Sequence, residues 1–574
     1  MKRSQTILTI LLLLCLLQSC TKNPSSDSSS IPSDSTSIAN GQVLFTQNCS
    51  TCHNFKTDGI GPHLGGLTKT TSIDWIKGFI KDPKSVIESN DERAQGLFAK
   101  FKTVMPSFPQ YNDLQINELI AFIHTKKAPD PRKEFIDPKA LKNPIPEPIP
   151  MSDIVVKLEL LTQIPPSSQE QQLTRIAKLD FQPNTEKLFV MDLRGKLYYL
   201  NGNRPEVYMD MNTLKPKFIH KPGLATGFGS FAFHPEFATN GLLYTSHTES
   251  PGSGKADFDY ADSIKVTLQW VLSEWKTKTP GAFPFSGESR ELLRVNMVTP
   301  IHGMQEIIFN PFAKKGSEDY GLLYIGIGDG GSAESGYPFL CHSTEKIWGT
   351  VIRIDPSGNN SANGHYGIPD TNPFVKNGME KTVKEIFAMG FRNPHRITWS
   401  KAGDQFVSNV GHHNIESLYI IKPGSDSGWP IREGTFVIDP SQNMHNIYPL
   451  PANDAQYNFT YPVAQYDHDE GNAIAGGFEY RGKALPLLVG KFVFSDIVKG
   501  RLFFVEMKDL KLGSQALIKE WRVSLDGNIK TLSELSGAQK VDERFGRDIK
   551  GELYLTTKPD GKVYRLVSAT NIKP

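Results

Sequence analysis

Cysteine is scarce in this chain, and its scarcity excludes one class of protein at the outset. Only 5 of the 574 residues are cysteine, so there is no disulfide framework of the kind that holds small secreted scaffolds together. An excess of charge of one sign is also lacking, because 63 Lys and Arg residues oppose 61 Asp and Glu residues. A surface with a net charge of only +2 indicates neither a nucleic acid nor an acidic polymer as a partner.

The apolar run at the start of the chain is too short to cross a bilayer comfortably. Lys2 and Arg3 precede this run at 7–17, which is followed by the sequence Gln-Ser-Cys20. A basic start, a short apolar run and a small residue before the cleavage point predict an export signal over 1–19. Because the Leu-x-Ser-Cys ending resembles a bacterial lipobox, we expect Cys20 to be lipidated and to tether the protein to a membrane. The alternative is ordinary signal cleavage, in which Cys20 takes no part.

The segment after the export signal is predicted to be a Ser-rich tether over 20–37. Its Ser, Asp and Pro residues cannot bury a core. Cys15 is removed with the signal, and Cys341 remains alone. The predicted location is therefore extracytoplasmic, with the protein lipid-anchored at the bacterial cell envelope, in the periplasm or at the outer membrane.

The stretch Cys49-Ser-Thr-Cys52-His53 predicts a covalent haem c site. Two thiols at this spacing can each add to a vinyl group of one porphyrin, and the adjacent His53 can then bind the iron. A stray dithiol or half of a zinc site is the alternative, but no second CxxC or HxxxH occurs at zinc-finger spacing. Haem attachment takes place outside the cytoplasm, which agrees with the predicted export signal.

A second axial ligand to the iron is expected further along the chain, and Met105 fits that place. It stands in Met-Pro-Ser-Phe-Pro on a polar loop, just before an apolar-periodic run at 112–125. A thioether favours reduced iron, so a His/Met pair raises the potential as an electron acceptor requires. His63, in the Gly-Pro-His sequence between the two motifs, is the rival ligand. Residues 38–127 together resemble a class I cytochrome c domain, which implies a small all-α fold.

A Pro-rich linker at 128–151 separates this domain from the C-terminal part of the chain, and its composition predicts a stiff, extended spacer. Beyond the linker, short apolar segments recur that contain the sequence Gly-x-Leu-Tyr or a similar one. Examples begin at Gly195, Gly241, Gly321, Gly551 and Gly561. Short strands with tight turns at such intervals predict an all-β six-bladed β-propeller over 152–574. An array of β-sandwiches is the alternative.

Seven motifs in a fixed order characterise the C-terminal part of the chain. They begin at Phe231 (Phe-Ala-Phe-His-Pro), His302 (His-Gly), Gly328 (Gly-Asp-Gly-Gly), Gly349 (Gly-Thr-Val-Ile-Arg-Ile-Asp), Tyr366 (Tyr-Gly-Ile-Pro), Gly390 (Gly-Phe-Arg-Asn-Pro) and Gly428 (Gly-Trp-Pro). Residues 160–567 thereby resemble the glucose/sorbosone dehydrogenase family, six-bladed propellers that oxidise sugars with pyrroloquinoline quinone (PQQ). The resemblance implies an oxidoreductase that acts on sugar CH–OH groups.

The resemblance also implies a catalytic pair. His302 matches the family's catalytic base, and a neutral imidazole suits removal of a hydroxyl proton near pH 7. Asp329 matches the aspartate that holds the other ring nitrogen and so fixes the tautomer. If the resemblance to the family is set aside, the alternative interpretation is that His302 is a capping residue in a loop before a strand and Asp329 an ordinary turn residue.

The cofactor contacts implied by the family fall on further positions. PQQ carries three carboxylates and needs cationic partners; Arg392 and Asn393 match the family's contacts. Arg544 matches a further arginine, with Arg547 as a competitor. Calcium is implied as the Lewis acid, bound by the backbone carbonyls of Gly411 and His412.

Several positions depart from the family's pattern. They are Ala225 in place of Gln or Glu, Asn409 in place of Asp, Ser417 as the second of two paired acids, Asp426 in place of Asn, and His395 where some members have Gln.

The sequence as a whole predicts a lipid-anchored quinohaemoprotein sugar dehydrogenase. We expect a sugar to lose two electrons to PQQ, and these to pass singly to the haem and on to an acceptor of the respiratory chain. Fusing the acceptor to the propeller raises its effective concentration. Two alternatives stay open, since propellers host many chemistries: a calcium-dependent lactonase, and a carbohydrate- or protein-binding module whose haem serves another enzyme.

Overall fold

The computed structural model describes residues 31–50, 52–56, 58, 60–101, 103–129, 135–169, 172–223 and 225–572. The predicted export signal, Cys20 and most of the tether lie outside the described residues. Within the described part of the chain, no helix has the length and apolarity that a membrane span requires.

The N-terminal domain is helical, as predicted. Its helices are Ser35–Asn48, Leu67–Thr70, Ile73–Lys81, Pro83–Glu88, Glu92–Phe101 and Asp113–His124. Side chains of Asp34, Ser72 and Asn112 accept backbone N–H groups at three helix starts, which satisfies donors that the helices cannot. The first and last helices cross closely at Gly41, where an added Cβ would lie 1.8 Å from the carbonyl oxygen of Glu118. This crossing therefore requires glycine.

The C-terminal domain is built from β-strands, and four separate sheets have four strands each. Blade 1 contains Ile176–Phe181, Leu188–Asp192, Lys196–Asn201 and Arg204–Asp210; blade 2 contains Phe228–Phe233, Leu242–Glu249, Leu268–Thr277 and Gly287–Met297. Blade 3 contains Met304–Phe309, Leu323–Ile327, Thr350–Ile354 and Ile386–Met389; blade 4 contains Pro394–Trp399, Gln405–Asn409, Ile415–Ile421 and Ala464–Asp467. Each blade is an antiparallel meander, so its strands follow one another in the chain.

The last part of the chain forms one nine-stranded sheet. Its main path is Phe478–Glu479, Lys491–Asp496, Arg501–Glu506, Lys519–Leu525, Met151–Gln163, Lys562–Asn571, Leu553–Thr557 and Arg544–Arg547, with Asn528–Lys530 beside it. A two-stranded ribbon, Arg432–Glu433 with Phe436–Val437, and short helices at Met211–Leu214, Phe237–Asn240 and Leu532–Ser536 complete the described elements, apart from single 3-10 turns.

The prediction of six separate blades is wrong in this respect: the structure shows four separate blades and one wider sheet. The physical reason is the strand Met151–Gln163, which pairs in parallel with Lys519–Leu525 and antiparallel with Lys562–Asn571. This strand thereby joins the strands before it and after it into one sheet, whereas counting the repeated motifs would assign them to separate blades. The recurring glycines mark turns correctly, since Gly195, for example, has a φ of 113° before its strand. A turn glycine does not indicate whether a distant strand, such as Met151–Gln163, pairs with the edge of a neighbouring sheet.

The linker lies on the propeller along its described length. The N–H of Leu141 donates to the carbonyl of Ile447 (2.8 Å), and the N–H of Ile145 donates to Asp467 (3.1 Å). Asp137 also accepts from the hydroxyl of Tyr448 at 3.0 Å. The linker therefore contributes its own contacts to the placement of the helical domain, in addition to its length.

Candidate functional site

The helical domain and the propeller line one cavity of about 950 Å³. Every predicted site residue except Asp329 borders it. Those on the helical side are Cys49, Cys52, His53 and Met105, and those on the propeller side are His302, Arg392, Asn393, Gly411, His412 and Arg544. Groups that are far apart in the sequence thus face a common space.

At the helical end, His53 is held by one ring nitrogen. Its Nδ1 lies 2.7 Å from the carbonyl oxygen of Pro62, which makes Nδ1 the donor and leaves Nε2 without a proton. Gly61 packs against this ring, and an added Cβ there would lie 2.5 Å from the imidazole. A fixed imidazole with an unprotonated nitrogen is the arrangement that iron ligation requires.

The rest of this end fits a porphyrin. Cys49 and Cys52 are free thiols, and burial raises the pKa of Cys49 to about 12. Apolar walls come from side chains such as Ile60, Phe79 and Leu97, and Met105 is half-buried against the helical core. His63, the rival ligand, also borders the cavity, and its backbone N–H donates to Asp58 at 2.9 Å.

At the propeller end, His302 and Asp329 form a hydrogen-bonded pair. The Nδ1 of His302 lies 2.8 Å from Oδ1 of Asp329, which is fully buried. The carboxylate is itself held by the N–H of Gly331 (2.8 Å) and the indole N–H of Trp429 (3.0 Å). Since a carboxylate only accepts, Nδ1 carries the proton and Nε2 is the basic nitrogen.

Burial and charge keep this imidazole neutral. Desolvation is the main cause that lowers the pKa of His302, and the nearby positive charge of Arg392 lowers it further. His302 also has a φ of 54°, a left-handed conformation uncommon for residues other than glycine. Gly328 leaves room for it, because a Cβ there would lie 2.4 Å from the carbonyl oxygen of His302. Backbone strain of this kind is concentrated at functional sites.

Arg392 is bonded to oxygens of this chain. Its Nη1 donates to the carbonyl oxygen of Gly411 at 2.5 Å, and its Nε and Nη2 both donate to Oε1 of Glu334. The same Oε1 lies 3.1 Å from Nδ1 of His412. Sequence reasoning missed Glu334; the available signal was a carboxylate three residues after the Gly-Asp-Gly-Gly motif.

The loop that contains Gly411 and His412 is fixed from behind by a buried carboxylate. Oε1 of Glu433 accepts the backbone N–H groups of His412, His413, Asn414 and Ile415 at 2.7 to 3.1 Å. Among the described residues, no group of three or more His, Cys, Asp or Glu side chains is arranged to hold a metal ion. The backbone carbonyl oxygens of this loop are a type of ligand that calcium accepts.

The structure separates the two competing arginines. Arg544 borders the cavity and lies 2.8 Å from Oδ1 of Asp542, whereas Arg547 packs over the ring of Phe478 at 4.9 Å and does not border the cavity. Lys558, which sequence reasoning missed, bonds the other oxygen of Asp542 at 2.7 Å. Burial lowers the pKa of Lys558 to about 8.

The propeller wall of the cavity is positively charged overall. Its lysines and arginines are Arg175, Arg392, Lys540, Arg544 and Lys558, and its carboxylates are Glu334 and Asp542. The excess of three positive charges matches a small tricarboxylate such as PQQ. His395 also borders the cavity with both ring nitrogens buried and without a hydrogen-bond partner.

The departures from the family's pattern are partly compensated. Asn409 accepts the backbone N–H of Asn393 at 3.0 Å, which a carboxylate at this position could also do. Asp426 accepts from His342 at 2.9 Å and from the N–H of Gly428 at 2.9 Å. Ala225 borders the cavity, and the hydroxyl of Ser417 is buried without a partner. Asn409 and Asp426 thus make local hydrogen bonds through their side chains, whereas Ala225 and Ser417 make none.

Comparison with known proteins agrees with this division of the chain. The sequence profile described as Glucose / Sorbosone dehydrogenase matches residues 173–567, and that described as Cytochrome c matches residues 38–127. The HIPL2 protein of Arabidopsis thaliana is 29% identical over 389 residues, and the match covers 59% of this chain and 53% of that protein. Quinoprotein glucose dehydrogenase B of Acinetobacter calcoaceticus is 23% identical over 230 residues, covering 38% of this chain and 42% of that protein. The chain spans about half the length of the curated relatives it matches.

A solved structure shares the propeller fold. The soluble aldose sugar dehydrogenase of Escherichia coli, in its apo form, superposes with a TM-score of 0.50 at 16% identity. The superposition covers 73% of this chain and all of that chain (100%). At this identity the likeness shows the fold alone.

Proposed function

Because the chain belongs to the glucose/sorbosone dehydrogenase family over residues 173–567, we propose that it is a quinohaemoprotein sugar dehydrogenase. The propeller oxidises a sugar hydroxyl with PQQ, and the electrons pass to the haem of the helical domain. The family match and the cytochrome c match support this class. The activity, the PQQ dependence and the electron transfer to the haem are what we propose.

The observation that carries this proposal is a cavity that both domains line and that is bordered by predicted site residues of each. His302 and the haem-attachment motif border the same space, so a quinone held beside His302 and a haem held by Cys49 and Cys52 would share one cavity. Electron transfer weakens steeply with distance, so a shared cavity favours transfer between groups bound at its two ends. Arg175 of the propeller also contacts the carbonyl of Gln47 in the helical domain at 3.5 Å.

The chain's own residues divide the work of sugar oxidation. PQQ, when bound, supplies the acceptor for the hydride that leaves the sugar carbon. The Nε2 of His302 takes the hydroxyl proton, and Asp329 stabilises the resulting imidazolium through Nδ1. Arg392, Asn393 and Arg544 would hold the carboxylates of the cofactor, and the carbonyls of Gly411 and His412 would bind calcium.

The cellular setting is proposed on the N-terminal sequence. A lipidated Cys20 anchors the protein at the bacterial cell envelope, outside the cytoplasm. The haem then passes electrons to an acceptor of the respiratory chain. The substrate is a small sugar of the aldose type.

Stopped-flow absorbance at the haem band tests this function. Full-length protein is loaded with PQQ and calcium, mixed with a panel of aldoses, and compared with protein that lacks PQQ. We expect haem reduction only in the loaded sample. A protein that takes up no PQQ, or whose haem no aldose reduces, contradicts the proposal.

A binding module is the second candidate function, and one observation favours it. Arg392, the implied cofactor contact, is already bonded to Glu334 and Gly411. A propeller that never takes up PQQ would keep these bonds permanently. Direct titration with PQQ distinguishes the two functions, because only the dehydrogenase binds it.

A further inference from the structure

We infer that the propeller raises the reduction potential of the haem through two of its cations, Arg175 and Lys540, which border the cavity together with the haem-attachment segment. The proposed function gives these two side chains no role, since it assigns the cofactor to other residues. The inference requires only a haem attached at Cys49 and Cys52, and neither PQQ, calcium nor a sugar enters it.

Arg175 is the first of the two cations, and it contacts the helix that leads into the attachment motif. Its Nη2 lies 3.5 Å from the carbonyl oxygen of Gln47, two residues before Cys49. That carbonyl belongs to the last turn of the helix Ser35–Asn48, where an α-helix leaves carbonyl groups without an internal partner and favours a cation. The propeller therefore places a guanidinium beside the segment that holds the porphyrin.

The position of Arg175 is built into the propeller. Gly223 leaves room for the side chain, because an added Cβ there would lie 2.5 Å from Nη1. Nε is buried and has no hydrogen-bond partner among the described residues. Burial, followed by the charge of Arg194, lowers the pKa of Arg175 to about 10, so the guanidinium is charged at neutral pH. A partly buried charge of this kind is screened less than one on the surface.

Lys540 is the second cation, and it comes from the segment between the helix Leu532–Ser536 and the strand Arg544–Arg547. It borders the same cavity as Cys52. Burial raises the pKa of the Cys52 thiol, and the positive charge of Lys540 acts in the opposite direction. The lysine is thus near enough to act on the sulfur to which the porphyrin would be bonded.

One carboxylate of the propeller opposes these cations. Asp542 also borders the cavity, and its charge acts on Cys52 with the opposite sign to that of Lys540. Its Oδ1 lies 2.8 Å from Nη1 of Arg544, and its Oδ2 lies 2.7 Å from Nζ of Lys558. These two cations offset the carboxylate, so the charge that the propeller presents to the attachment segment is positive.

The sign of the effect on the haem follows from electrostatics. Reduction adds one electron to the haem and so lowers its charge by one. A nearby positive charge therefore stabilises the reduced haem more than the oxidised haem, which raises the reduction potential. The propeller thereby makes the haem a better electron acceptor while the two domains are in contact, and this contribution is lost if they separate.

A charge series at Lys540 tests the inference, because it changes the charge in steps at one position. The measurement is a spectroelectrochemical redox titration of the full-length protein at low ionic strength, without PQQ or sugar. Lys540→Gln should lower the midpoint potential, and Lys540→Glu should lower it about twice as far, since the Coulomb energy is proportional to the charge. Lys540→Arg should keep the wild-type potential. The differences should shrink in about 1 M salt, where the Debye length is about 3 Å.

Substitutions of Arg175 test the other cation in the same titration. Arg175→Gln should also lower the midpoint potential, whereas Arg175→Lys keeps the charge without the planar fork and should lower it less. An unchanged potential in Arg175→Gln overturns the role of Arg175.

Two surface substitutions serve as matched controls. Lys550→Gln removes a lysine whose side chain is 61% exposed, and Arg204→Gln removes an exposed arginine of blade 1; neither residue borders the cavity. Both should leave the potential unchanged. The haem spectrum and the thermal midpoint of each variant establish that it is folded, and the Lys540 series keeps the inference testable if Arg175→Gln does not fold.

The results separate this inference from the proposed function. Equal potentials in wild type, Lys540→Gln and Lys540→Glu overturn the inference, even where aldoses reduce the haem. An equal fall in Lys540→Gln and Lys540→Glu also overturns it, because a structural disturbance and not the charge would then be the cause. A stepwise fall that salt suppresses supports the inference even if the protein takes up no PQQ and the dehydrogenase proposal fails. Absence of covalent haem from the wild-type protein overturns it.

Discussion

His302 and Asp329 lie 27 residues apart in the chain, yet Nδ1 of the imidazole is 2.8 Å from Oδ1 of the carboxylate. The partner oxygen accepts the indole N–H of Trp429 at 3.0 Å. The aspartate is thus held from both sides, and the pair presents one basic nitrogen to the cavity. This relationship supports a base that is positioned before any substrate arrives.

Replacing His302 by Ala should abolish reduction of the haem by sugar. Loss of a general base costs on the order of a hundred- to ten-thousand-fold in rate. The affinities for PQQ and calcium should remain close to wild type, because Arg392, Asn393 and the loop at Gly411 are untouched. Stopped-flow absorbance measures the rate, and equilibrium titration measures the affinities. A variant that reduces its haem at the wild-type rate rules out His302 as the base.

The rate of haem reduction should depend on pH in a direction set by His302. The neutral imidazole is the active form, and burial with the charge of Arg392 lowers its pKa below the ordinary value of about 6.5. Activity should therefore be full above that pH and fall only as the pH drops well below it. In Arg392→Gln one positive neighbour is lost, so the acidic limb should move to higher pH. If the acidic limb of the pH–rate profile does not move in Arg392→Gln, the group that titrates is not His302.

The sequence predicted the attachment motif, the dyad and the propeller class because each depends on local spacing or on an ordered set of motifs. It could not predict the wide sheet, since the pairing of Met151–Gln163 with Lys519–Leu525 joins segments far apart in the chain. It also missed Glu334 and Lys558. Glu334 stands three residues after the Gly-Asp-Gly-Gly motif, but that position alone does not show that its side chain reaches the cavity. Lys558 has no motif beside it, and both residues reach the cavity only through the assembly of the blades. The docking of the linker was missed for the same reason.

Arg544 and Arg547 provide a matched pair of substitutions on one strand. Arg544→Gln should weaken PQQ uptake by about tenfold, because a carboxylate of the cofactor loses a charged partner at the cavity wall. Arg547→Gln should leave PQQ uptake near wild type, since Arg547 packs on Phe478 away from the cavity. Fluorescence or calorimetric titration with PQQ measures both. If the two effects are reversed, Arg547 is the cofactor contact.

Replacing Cys20 by Ala should release the protein from the membrane fraction. The lipid and the haem use different cysteines, so haem content per mole of protein should remain the same. Fractionation of cells followed by haem staining measures both quantities, with Cys341→Ala as a control that should stay membrane-bound. If the Cys20→Ala protein remains with the membrane, another feature tethers it.

Replacing Met105 by Ala should change the ligation of the haem iron without detaching the haem. Cys49 and Cys52 would still hold the porphyrin, and His53 would keep its bond to the carbonyl of Pro62. The weak near-infrared band that iron–sulfur ligation produces should disappear, and the potential should fall, because a thioether favours reduced iron. His63→Ala is the matched control, since both side chains border the cavity. If the band and the potential survive in Met105→Ala but are lost in His63→Ala, the axial ligand is His63.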